Sequence, residues 1–251
     1  MKRLVLCWLF GFFVFVPILV SGQQTVFEEA QTVYSSENVG GIIFHTNGWG
    51  ATFYHAKYIT GFTKRLYQID LVGMKHPKEV KINSSFENGR NFIYGKQHSL
   101  TILRTILGYH REFINKQSVK GVSVSQVYNL GISHGLAKPV YLTVGIDTTA
   151  NQVILVDEKY DPEIHTPDNI YGKSSYFTGF SDMKYYPGLF VKFALNFEYS
   201  GVSNSVKALE AGIALDAFLD KIPIMAMNDN RQFYLTLYFS VLFGGKKYVG
   251  E

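Results

Sequence analysis

Seven ionisable residues recur at alternate positions within otherwise apolar stretches: Lys64, Asp70, Arg104, Lys192, Glu198, Glu210 and Asp216. An isolated buried charge costs far more than one paired and hydrogen-bonded to its opposite. Acids and bases mixed on one face therefore make a structural plug of salt bridges and tyrosine hydroxyls, or the lining of a narrow pore. A second chemistry is hydrolysis, which needs a nucleophile, a base and an orienting acid converging on one point. His98-Ser99 and Ser133-His134 set serine beside histidine. Neighbours on a strand point to opposite faces, so neither pair can act as nucleophile and base. His110 and Glu112 share a face, but no serine can be assigned to them from the sequence. Asp157, Glu158, Asp161, Glu163, His165 and Asp168 gather the donors that suit Ca²⁺ or another divalent ion. Their spacing fits no EF-hand loop, and Pro162 and Pro167 interrupt it, so a solvated acidic loop is the expectation. Asn83-Ser84-Ser85 matches a glycosylation acceptor only formally. No catalytic residue, metal ligand or cofactor is assigned.

The elements that must position these side chains are strands. From Phe233 every second residue is large and apolar: Leu235, Leu237, Phe239, Val241 and Phe243 follow, with Tyr234, Thr236, Tyr238 and Ser240 between them. Leu189 to Tyr199 and Leu209 to Ala217 repeat the pattern. A period of two places one apolar face along a long strand. Twelve residues tilted by roughly 40° rise about 30 Å, enough for the roughly 25 Å apolar band of an outer membrane. Strands of soluble proteins are usually about half that length. The expected fold is all-β, a transmembrane antiparallel up-and-down barrel. A lipocalin-like soluble barrel would invert the faces. Strand length, low charge and the small or hydrogen-bonding residues of the polar face favour the membrane form.

Composition agrees. Charged residues make up 18% of the chain and aromatics 16%, against about 25% charged in ordinary soluble domains. Lys2 and Arg3, the apolar run Leu4 to Val20, and Val20-Ser21-Gly22 have the layout of a secretory signal peptide, residues 1–22. A retained membrane anchor is the alternative. The single cysteine, Cys7, lies in this run, so the chain beyond it has no disulfide or thiol chemistry. No later apolar run is long enough for a spanning helix. The formal charge of +4 falls to +2 without Lys2 and Arg3, and no basic stripe interleaves with aromatics; nucleic acid is not an expected partner.

Residues 23–38 read as a polar periplasmic lead-in and 39–251 as the barrel. Gly40–His45 makes the first strand and Asn47-Gly48 a hairpin signal. Trp49–Ile59, Lys64–Met74 and His98–Phe113 follow, then Gly121–Ile146 as one long strand bent at Pro139. Residues 147–187 lack sustained alternation and read as a long loop excursion. With the last three strands the count is eight. If Pro139 marks a hairpin, a partner hides in the excursion and the count is ten. Eight strands give an interior that side chains just fill; a comfortable pore needs more.

Gly48-Trp49-Gly50, the run from Lys64 to Glu79, Tyr94-Gly95-Lys96, Lys138 to Leu142, Asp168 to Gly172, Tyr186 to Leu189 and Phe243 to Lys247 resemble segments of an uncharacterised outer-membrane β-barrel family of the Bacteroidetes. The resemblance covers nearly all of the chain beyond residue 22. It implies a barrel fold in the outer membrane of a Gram-negative cell envelope. Its partners would be outer-membrane lipid and, during insertion, the barrel-assembly machinery. It implies no activity and brings no catalytic residue. The function expected is a non-enzymatic structural or loop-mediated binding role. A barrel enzyme acting on outer-membrane lipids, or a narrow pore, is the alternative.

Overall fold

The computed structural model describes residues 34–86, 88–114, 121–147, 153–199, 204–226 and 228–250. The expected signal peptide, 1–22, and residues 23–33 of the lead-in lie outside these. In chain order the strands are β1 (Tyr34–His45), β2 (Gly48–Thr60), β3 (Thr63–Met74), β4 (Lys81–Ile82), β5 (Phe92–Ile93), β6 (His98–Ile114) and β7 (Ser123–Pro139). Then come β8 (Tyr141–Asp147), β9 (Val153–Lys159), β10 (Ile170–Lys173), β11 (Lys184–Glu198), β12 (Ser205–Phe218) and β13 (Phe233–Tyr248).

Eight of these close an antiparallel barrel in the order β1-β13-β12-β11-β7-β6-β3-β2. Each strand pairs with its neighbours along the chain, and β1 pairs with β13 to close the ring, from Tyr34↔Tyr248 to His45↔Tyr238. Closure leaves no barrel strand with unpaired backbone, the condition for crossing hydrocarbon with strands. Outward positions are apolar: Phe53, Ile69, Leu107, Leu130, Leu189, Leu235 and Leu237 are all exposed. Alternate positions point inward and carry most of the ionisable groups. On β13 the outward face from Phe233 to Phe243 covers about 34 Å along the strand, or about 26 Å after a tilt of about 40°. That matches an apolar bilayer band, and a water-soluble barrel would have the two faces exchanged.

Three boundaries differ from the sequence expectation. β1 begins at Tyr34, so the lead-in gives up its last residues, 34–38, to the barrel. Glu37 points inward there, and a charged residue followed by Asn38 hid the alternation. The matching extension of β13 to Tyr248 supplies its partner strand. Second, Gly121–Ile146 is not one bent strand. β7 ends at Pro139, which has no N–H to continue a ladder, and β8 joins a separate three-stranded sheet of order β10-β8-β9. Third, the 147–187 excursion is partly ordered as β9 and β10, with β11 already under way at Lys184. A partner strand does hide in it, but outside the barrel, so the count stays at eight.

The barrel has two unlike ends. Tyr34 and Tyr248 lie at one end with the turn 61–62 and the strand ends Ile114, Ser123, Glu198 and Ser205. The far end carries 46–47 and three long connections, 75–97, 140–183 and 219–232. Those long connections fold into a cap. Segment 219–232 turns into the barrel mouth, where Ile222, Ile224 and Met225 are buried against Met74, Leu100, Ile102, Phe218 and Tyr234. Gln97 N donates to Ile224 O (2.9 Å) and Ala226 N to Gly95 O (2.6 Å). Burying each of the three side chains favours closure by about 1.5–3 kcal/mol before ordering entropy is subtracted. A second apolar cluster, Phe92, Leu142, Val144, Tyr160, Ile170 and Ala226, is the core of the cap.

Candidate functional site

Below the apolar mouth the lumen is packed with polar groups in three tiers. Nearest the terminal end, Lys64 Nζ donates to Glu37 Oε1 and Oε2 at 2.8 and 2.9 Å, and Tyr58 OH donates to Glu37 Oε2 at 2.8 Å. Glu198 stands 4.0 Å from Lys64 and accepts from Lys246 Nζ at 2.6 Å. In the middle tier Glu210 accepts from Lys192 (3.0 Å), Tyr238 OH (2.7 Å) and Asn196 (3.3 Å). Gln68 and Asn129 lie beside this group, 2.8 Å apart. Gly108 makes room for them, since a Cβ there would stand 2.3 Å from Asn129 Oδ1.

The upper tier is centred on Arg104. Its Nε and Nη2 donate to the two oxygens of Asp216 at 2.9 and 2.6 Å, a bidentate pair. Ser133 Oγ donates to Asp216 Oδ1 (2.5 Å). Asp70 sits 3.9 Å from Arg104 and accepts from Thr52 (2.6 Å) and Gln68 (2.7 Å). The guanidinium also lies 4.5 Å from the centroid of the Phe190 ring. Asp216 and Glu37 are fully buried. Every carboxylate in the three tiers has a cation and at least one further contact, which is what a closed low-dielectric space demands.

The structure thus places Lys64, Asp70, Arg104, Lys192, Glu198, Glu210 and Asp216 inside one lumen and brings them together in pairs. Sequence reasoning missed Glu37, Lys246 and the neutral bridging groups Thr52 and Asn129. Inward parity on strands already recognised could have found Thr52 and Asn129. The remaining candidates are kept apart. His98 points inward with Nδ1 2.7 Å from Pro223 O, whereas Ser99 points outward. Ser133 is inside on Asp216, while His134 is outside, 2.8 Å from Tyr185 OH. His110 is buried beside Tyr54, and its Nε2 has no hydrogen-bond partner among the described residues. Among the described residues no serine hydrogen-bonds to that nitrogen.

The acidic excursion is tied into the cap. Asp157 accepts from Ser174 Oγ and Thr143 Oγ1, both at 2.7 Å, and these bonds hold its carboxyl below the usual range. His165 lies 3.3 Å from Glu158, and its Nδ1 accepts from Asp161 N. Among the described residues no group of three or more His, Cys, Asp or Glu side chains is arranged to hold a metal ion.

These features define a membrane-spanning eight-stranded barrel with a charge-paired lumen and a folded cap. No protein-family model matches the chain, and no curated protein is similar to it in sequence. Among solved structures it resembles the crystal structure of Neisserial surface protein A (NspA), at 8% identity over 86% of this chain and 96% of that one, with a TM-score of 0.37. The assignment as a barrel rests on this chain's own closed strand order.

Proposed function

We propose that the protein is a non-conducting integral barrel of the outer membrane of a Gram-negative bacterium, whose outward cap serves a non-enzymatic binding role. The observation that supports this most directly is the double closure of the lumen, by ion pairs below and by Ile222, Ile224 and Met225 above. The signal-like segment 1–22 supports export, and the unlike ends support an orientation with the long connections outside, as in other outer-membrane barrels. Outer-membrane lipid is then the permanent partner, with the barrel-assembly machinery a transient one. A lipid-acting enzyme at the rim needs a nucleophile hydrogen-bonded to His110, and among the described residues its Nε2 has no such partner.

The test uses Phe177→Cys, at an exposed cap position, in a chain whose natural cysteine lies at position 7. The protein should fractionate with the outer membrane, shift its gel mobility on heating, and react with an impermeant maleimide on intact cells. Labelling only after permeabilisation, or recovery as a soluble protein, overturns the reading. Lipid mass spectra of cells carrying His110→Gln should match the parent at equal protein level; an altered profile overturns the non-enzymatic assignment.

A further inference from the structure

A cavity of about 240 Å³ opens at the capped rim of the barrel, and Lys81, Lys96, Lys138 and Lys173 all line it. We propose that it binds the head group of an anionic amphiphile, a phosphate ester carried on an apolar body, from the outer leaflet. This rests on the outward placement of the cap proposed above and names the ligand that placement would meet.

Charge is the first support. Among the described residues Lys96 alone of the four has a carboxylate within 4.0 Å, Glu79 at 2.7 Å. Among the described residues no acid stands within 4.0 Å of Lys81, Lys138 or Lys173. Lys138 is instead held by carbonyls, donating to Tyr176 O (2.6 Å) and Thr178 O (3.2 Å), and its Nζ lies over the Tyr176 and Phe180 rings. Asp157 and Asp182 meet the lining through hydrogen bonds from Ser174 and Tyr141. Counting both of them with Glu79 still leaves the cavity net positive. Ammonium groups gathered on one small space repel one another, and a bound phosphate reverses the sign of that interaction.

The second support is the apolar part of the lining. Phe92, Val140 and Leu142 line the same cavity as the lysines, which a free inorganic ion has no use for and an amphiphile does. The volume lies below the roughly 300–1,000 Å³ of drug-sized pockets. It therefore admits a head group, and the chains must lie elsewhere. The third support is a route for those chains. Ser99 and Lys138 pair across β6 and β7 on the outward face, at the cavity. The outward pairs below them are Thr101–Leu136, Leu103–His134, Thr105–Ile132 and Leu107–Leu130, leading onto the apolar wall. Beside the rim, Tyr176, Phe177 and Phe180 form a mutual aromatic cluster with centroids 5.7–6.2 Å apart. Aromatic rings of this kind settle at the head-group level of a bilayer.

The full-length processed protein, folded in dodecyl maltoside, is reductively ¹³C-methylated so that each lysine gives a separate NMR signal. Dodecyl phosphate is the probe, and inorganic phosphate and further dodecyl maltoside are the comparison arms. Saturable shifts confined to Lys81, Lys96, Lys138 and Lys173 are expected, while Lys57 and Lys207 on the barrel strands stay unmoved. Inorganic phosphate should bind at least about tenfold more weakly, for want of the apolar contacts. Lys81→Gln/Lys173→Gln should weaken dodecyl phosphate about tenfold or more, with heat-modifiable folding retained. Three results each overturn the proposal: no saturable shift at these lysines, equal affinity for inorganic phosphate, or unchanged affinity in the double variant. If binding fails while Phe177→Cys still labels on intact cells, the ligand assignment falls and the surface-cap reading stands. If labelling fails, the cap reading itself falls and takes this proposal with it.

Discussion

Replacing Arg104 with methionine asks whether the lumen is dry. Arg104→Met keeps most of the side chain's bulk and removes the cation that faces both Asp216 and Asp70. Asp216 loses two charge-assisted bonds, at 2.9 and 2.6 Å, and keeps Ser133. Asp70 loses its nearest cation, at 3.9 Å, and keeps Thr52 and Gln68. Breaking a buried pair from one side typically costs about 3–5 kcal/mol, because the surviving charge is uncompensated. Loss of the guanidinium over Phe190 adds roughly 0.5–2 kcal/mol. The expected destabilisation is therefore about 3.5–7 kcal/mol. Arg104→Met/Asp216→Leu removes the bidentate pair and should recover part of it, because apolar replacement of a buried pair is often neutral or stabilising, while Asp70 stays without its cation. The assay is reversible urea unfolding in lipid vesicles, followed by gel mobility without heating. An Arg104→Met cost below about 1 kcal/mol would show that water screens the upper tier, as at an exposed pair, and would refute a closed lumen.

On the outer wall, Phe239→Arg should cost about 2–4 kcal/mol in the same unfolding assay. Tyr238→Phe, one residue away but inside on Glu210, should cost about 1 kcal/mol; the reverse order would invert the register of β13. In the cap, the carboxyl of Asp157 sits below its ordinary value of 3.8 because Ser174 and then Thr143 donate to it. Its contribution is therefore present above that value and is lost as pH falls through the lower folded one. Hydrogen-exchange protection at 141–147 and 170–173, corrected for the intrinsic pH dependence of amide exchange, should fall below about pH 4, and in Asp157→Asn it should not change with pH in that window; a parent cap whose protection shows no such fall would remove this carboxylate as a clamp. Ile222→Asp/Ile224→Asp should unseat segment 219–232, read as new protease cleavage there with the barrel still heat-modifiable, and continued protection would show that other contacts hold the mouth.

The barrel was legible because the bilayer imposes one rule on every strand: Phe239, Leu237 and Leu235 must all face lipid, and the period of two survives intact. The same parity marked the ionisable lumen residues, since a charge such as Asp216 between Leu215 and Ala217 has nowhere else to point. Glu37 escaped because its neighbours Ser36 and Asn38 are polar, so no apolar partner phase announced the strand. Thr52 and Asn129 are neutral, and nothing in their type separates a lumen bridge from a surface position. The cap was hidden for another reason. Ile154, Leu155 and Val156 stand consecutively on β9, which breaks alternation, and Ile222 and Ile224 lie between Asp220 and Asn228 in what reads as a polar connection. Their burial depends on Met74, Leu100 and Phe218, contacts set by the closed ring rather than by local sequence. The lysine cavity is assembled from four separate segments and has no local signature at all.

Single-channel recording of the refolded protein in planar bilayers tests the central claim most directly. A lumen filled by Glu37–Lys64, Glu210–Lys192 and Asp216–Arg104, under a mouth closed by Ile222 and Ile224, should give no conductance above the bare bilayer at either polarity. Stable ohmic steps from heat-modifiable, fully folded protein would contradict it.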